Sequence, residues 1–153
     1  MLRVFKDLFD SVLVQPREQS EAERLAQLQL AAAVLLVEVM RADADSGPAE
    51  RLAVIAALRD RFGLAQQQTR DLVALAEERS RTANDFFQFT SVINDGFEQD
   101  EKVRMVESLW RVAYADGVLD AQQNHVISRL AELLHVPHGQ YIAAKMHAQE
   151  QGG

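Results

Sequence analysis

The chain has 153 residues, 48% of them hydrophobic and 25% charged, with a formal net charge of −7 and no cysteine. That length and apolar content suit one domain with a core of its own. The missing thiols exclude disulfides, thiol catalysis and cysteine zinc sites, and the acidic balance argues against a nucleic-acid or phosphate-binding surface.

All the predicted elements are helices. Only three prolines occur, Pro16, Pro48 and Pro137, each where a helix should stop or start. No segment alternates β-branched and polar residues between turn signals. At the N-terminus Leu2, Phe5, Leu8, Phe9, Val12 and Leu13 fall on one helical face, which predicts an amphipathic helix over residues 1–16. Arg3 and Lys6 are offset by Asp7 and Asp10, so packing on the bundle or in a homodimer is expected rather than binding to anionic lipid. Ser20 with Glu23 has the capping-box pattern and opens a long helix reaching about Ala42. Its stretch 30–37 is apolar nearly all round, which predicts the central helix of the bundle. This run ends at Glu38 and is too short to span a bilayer; no transmembrane segment and no signal peptide are expected, and a cytoplasmic location fits.

Gly47-Pro48-Ala49-Glu50 opens the next helix, with Leu52, Ile55, Leu58 and Phe62 expected inward and Gly63 closing it in a left-handed cap. A further amphipathic helix covers 66–79. Thr82 to Asp85 opens another, carrying Phe86, Phe87 and Phe89. Three phenylalanines exceed what one face buries, so one should be exposed, as at a partner contact. A helix over 98–115 carries Val106, Leu109, Trp110 and Tyr114, and Asp120 caps another with Ile127, Leu130 and Leu134 inward. Pro137 begins a last helix with Tyr141, Ile142 and Met146, and residues 149–153 are expected to be a disordered tail.

Two of these segments align. Leu35 to Ala44 and Ser108 to Gly117 share Val-x-x-Ala-Asp, and a one-residue slip in the following loop then pairs Ile55, Leu58, Phe62 and Leu64 with Ile127, Leu130, Leu134 and Val136. The expected fold is all-α: a single-domain bundle of about seven to eight helices with a pseudo-twofold repeat of helical hairpins.

The stretch Ala115-Asp116-Gly117-Val118-Leu119-Asp120-Ala121-Gln122-Gln123 resembles the Ala-Asp-Gly-x-x-Asp-x-x-Glu signature of the TerB-like tellurite-resistance family, and Leu109 to Gly117 with Leu133 to His138 resembles an uncharacterised bacterial subfamily of it. The likeness spans roughly residues 20–147 and marks 17–148 as the TerB-like helical domain. It implies an all-α bundle and a stress- or tellurite-resistance-associated interaction module. Gln123 stands where the signature has Glu, and Ala44 stands in the first turn's Gly position.

Asp43 and Asp116 each follow a helix C-terminus, where the helix dipole disfavours negative charge. Each carboxylate is expected either to accept N–H groups in its own turn or, with Asp120, to bind a divalent cation, with Asp45 and Glu50 as further oxygens. Asp43-x-Asp45-x-Gly47 begins like an EF-hand, but Val54 stands where its bidentate Glu is needed. His135 is expected to be a helix cap with positive φ, and His125, His138 and His147 to be surface groups. No catalytic motif is present, which favours a non-enzymatic module with an unknown protein partner and no cofactor beyond that cation. An adaptor of co-chaperone type, lacking a J-domain tripeptide of its own, is the alternative; a hydrolytic enzyme is the third class.

Overall fold

The computed structural model describes residues 20–152. The helix expected over 1–16 therefore lies outside the described residues. Among those described, seven α-helices and no strands occur: α1 Glu21–Ala42, α2 Pro48–Phe62, α3 Gln66–Thr82, α4 Phe87–Gly96, α5 Gln99–Ala113, α6 Ala121–Leu133 and α7 His138–Gly152. The all-α bundle read from the sequence is what the chain forms.

α1 starts at its capping box: Glu23 N–H donates to Ser20 Oγ at 3.1 Å, and Ser20 N–H donates to Glu23 Oε1 at 3.4 Å. Every residue from Leu30 to Val37 is at most 1% exposed, because α2, α3, α4, α5 and α6 all pack on this helix. By length and composition alone α1 is long and apolar enough to cross a membrane, with a mean hydropathy of 1.5 in its most apolar window, yet 67% of that window is buried inside the bundle. The expectation drawn from 30–37 alone had understated how apolar the helix is. α4 approaches α1 so closely that a Cβ on Gly96 would lie 2.5 Å from Leu28 Cδ2, and glycine is what permits this contact.

The caps follow local chemistry. Gly63 has φ 63° and its N–H donates to the Arg59 carbonyl. His135 has φ 58°, the one positive φ among described non-glycine residues. Its N–H goes to Glu132 and that of Val136 goes to Ala131, which is the Schellman pattern.

Three expectations need correction. Leu52, placed inward from the sequence, is 64% exposed; the buried stripe of α2 is Glu50, Val54 and Leu58, spaced four apart on one face. Met146 is 54% exposed, and α7 turns Ala144 and Ala148 inward instead. The tail expected to be disordered continues as helix to Gly152: Gln149 Nε2 donates to the Tyr114 hydroxyl at 2.8 Å, and Gln151 bonds Arg111. α7 packs chiefly on α5, where Tyr141 and Tyr114 flank the wholly buried Trp110 with ring centroids 5.4 and 6.0 Å away.

Candidate functional site

Each Ala-Asp turn follows a helix C-terminus, and the N–H groups of the turn need an acceptor. At the end of α1, Asp43 Oδ1 accepts the N–H of Asp45 at 2.9 Å. At the end of α5, Asp116 Oδ1 accepts the N–H of Val118 at 3.0 Å. Both carboxylates therefore form Asx-turns. The same two residues also converge: one ligand oxygen each from Asp43, Glu50 and Asp116 lie within 4.8 Å of one another. Capping and cation binding are set as alternatives by the sequence; the turn bonds and the convergence occur together, because a carboxylate has two oxygens and the turn uses one.

Asp120 is placed differently. It is the N-cap of α6, its Oδ2 accepting the N–H of Gln122 at 3.0 Å, and the converging group does not include it. Asp45 is exposed.

Glu50, expected as a further oxygen, is the residue whose burial the sequence did not reveal. It is the third residue of α2, and Gln123 is the third residue of α6; both are 0% exposed. They meet head to head, Gln123 Nε2 donating to Glu50 Oε2 at 2.6 Å and to the Val39 carbonyl at 3.1 Å. Glu50 Oε1, wholly buried, has no hydrogen-bond donor. Burial pushes the Glu50 carboxyl up to about 8; its hydrogen bond with Asp43 and the charges of Asp43 and Asp116 add to the rise, while Gln123 opposes it. A carboxylate facing another carboxylate can bond it only by carrying a proton or sharing a cation. A clue did exist in the sequence: Glu50 lies on the same four-residue stripe as Val54 and Leu58. On the other side Gln123 lies on a stripe of the same spacing, with Ile127 and Ala131.

The burial of the three acids is graded. Glu50 is 0% and Asp43 8% exposed, while Asp116 is exposed, so the junction opens to solvent on the Asp116 side. The histidines stand elsewhere: His147 pairs with Glu107, His138 lies against Tyr141, and His125 is exposed on α6.

A second concavity, of about 510 Å³, lies between the start of α4 and α6, with Phe86, Phe87, His125, Val126 and Arg129 in its walls. Of the three phenylalanines, Phe89 is fully buried, Phe86 half-buried and Phe87 66% exposed. One exposed ring is what their spacing predicted.

A helical bundle whose two Asp turns meet over a buried glutamate is thus the class of protein in hand. The family model described as tellurite resistance protein TerB matches residues 29–146, and the chain belongs to that family of helical domains associated with tellurite resistance. No curated protein and no solved structure matches the chain.

Proposed function

We propose that this is a non-enzymatic helical module that binds a divalent cation where its two Asp turns meet, and that it serves tellurite or stress resistance by engaging a protein partner in the cytoplasm. The observation that carries the reading is Glu50 Oε1: a carboxylate oxygen, fully buried, with no donor, beside two more carboxylates. Ionised, that oxygen is an unmet buried acceptor, which costs about 1–3 kcal/mol or more, and the ion-free fold avoids the cost by keeping a proton on the carboxyl. A cation held by Asp43, Glu50 and Asp116 removes that cost. Asp120, grouped with Asp43 and Asp116 from the sequence, takes the supporting part by fixing the start of α6. Donors that are all oxygen suit Mg²⁺, Mn²⁺ or Ca²⁺ better than softer metals.

Calorimetric titration of the full chain with each of these ions tests the reading. Saturable heat is expected with at least one ion in the wild type and none in Glu50→Gln. No heat with any of the three rejects the site.

The exposed Phe87 beside its groove favours a second reading, a protein-interaction domain that needs no metal, with a homodimer as its simplest form. Gel filtration checks it: a dimer that Phe87→Glu converts to monomer supports this reading, and a wild-type monomer at every concentration rejects the homodimer.

A further inference from the structure

Each acid at the junction has one carboxylate oxygen engaged by an N–H, and that restriction bears on which ion it takes. We propose that Gln123 makes the junction selective for a small octahedral divalent cation over Ca²⁺, by occupying one oxygen of Glu50 so that this residue meets an ion through Oε1 alone. The inference rests on the reading above that the junction binds a cation.

Gln123 is a wholly buried amide with every polar atom engaged. Nε2 donates to Glu50 Oε2 at 2.6 Å and to the Val39 carbonyl at 3.1 Å, and Oε1 accepts the Asp120 N–H at 3.4 Å. Turning the amide over would set its oxygen against two acceptors and its NH₂ against a donor, so the orientation follows from the partners. The Val39 carbonyl is available because α1 tightens at its end: the Asp43 N–H goes to Met40, not Val39. The amide is therefore anchored to the end of α1 and the start of α6 at once. The short bond it gives Glu50 is charge-assisted when that carboxyl is ionised.

The other two carboxylates are restricted in the same way. Asp43 Oδ1 and Asp116 Oδ1 each hold a turn N–H. Each of the three acids thus has one oxygen already committed to an N–H and one left over. Three single oxygens, with water filling the remaining positions from the exposed Asp116 side, match an octahedral ion that keeps part of its hydration shell. Ca²⁺ takes about 6–8 oxygens and commonly draws both from one carboxylate, which this arrangement resists. Gln123 is a positioning residue in this account: it touches the ligand and not the ion.

The test is calorimetric titration of the full chain with Mn²⁺ and with Ca²⁺, in the wild type, Gln123→Glu and Gln123→Met. The wild type is expected to bind Mn²⁺ the more tightly. Gln123→Glu withdraws the bond to Oε2 and adds a carboxylate, and is expected to raise the Ca²⁺-to-Mn²⁺ affinity ratio by roughly tenfold or more. Gln123→Met keeps the volume, adds no charge and also frees Oε2; it is expected to move the ratio in the same direction by less. Thermal melts establish that each variant folds, and if Gln123→Glu does not, Gln123→Met decides. Tighter Ca²⁺ binding by the wild type, or a ratio unchanged in the folded variants, overturns the role of Gln123 and leaves the cation reading standing. Absence of binding by the wild type to both ions and to Mg²⁺ removes the cation reading itself.

Discussion

At the turn after α1, Asp43 is 8% exposed and the helix that follows turns an acid, Glu50, into the core; at the turn after α5, Asp116 is exposed and the helix that follows turns in an amide, Gln123. Both turns close on an aspartate oxygen, and both following helices send their third residue to the same buried point. The first half supplies a buried acid. The second supplies the donor that orients it and the opening to solvent. Two helix-start positions that meet at one point can thus divide one task, because an acid and an amide of similar shape differ in what they can donate.

The largest expected effect comes from removing the donor. Gln123→Ala leaves the Val39 carbonyl and Glu50 Oε2 without N–H partners and opens a cavity, and should lower unfolding free energy by about 2–4 kcal/mol in urea titrations. A loss under about 1 kcal/mol would mean that the second half does not hold the first. Exchanging the pair, Glu50→Gln with Gln123→Glu, keeps the composition but takes the donor from Val39, and should cost about 1–3 kcal/mol. Full wild-type stability in the exchanged protein would make the two positions interchangeable.

Next comes pH. The Glu50 carboxyl is raised from 4.5 to about 8 in the fold, so the folded state holds a proton that the unfolded chain has released. The stability this contributes is complete below pH 4.5 and is lost as pH rises through 8. In the ion-free protein the loss should be on the order of 1 kcal/mol per pH unit at its steepest. Glu50→Gln should remove that part of the profile, and an identical profile in the variant would show that the carboxyl does not carry it. Smaller still, Asp116→Ala removes one exposed turn acceptor and should cost about 0.5–1 kcal/mol by thermal melt. Phe87→Ser, at an exposed ring, should change stability by less than about 0.5 kcal/mol.

The features legible in the sequence are those decided within a few residues. The Ser20 capping box, the Gly63 and His135 caps and the all-round apolar stretch 30–37 depend on local backbone chemistry, and the chain displays each of them. Which face of α2 points inward was not legible. Leu52, Val54, Ile55 and Leu58 offer overlapping apolar stripes, and the choice among them is made by α1, α3 and α5, which pack on α2. The choice puts Glu50 inside and Leu52 outside, against their individual hydrophobicities. The candidate site shares this character. Asp43 and Asp116 were readable as turn acids, but their approach to Glu50 comes from two chain segments far apart in sequence, and only the assembled bundle brings them together.

The central position of α1 has a consequence for how the protein is made. Residues 30–37 leave the ribosome well before α5 and α6, which complete their covering. At about 5–20 residues per second, the wait until residue 133 has been added lasts roughly 5–19 seconds. Through that interval an almost uninterrupted aliphatic surface has only the nearer helices to shelter it. Truncations that stop before α5 should leave that surface uncovered, and pulse-chase labelling should show them degraded faster than the full chain.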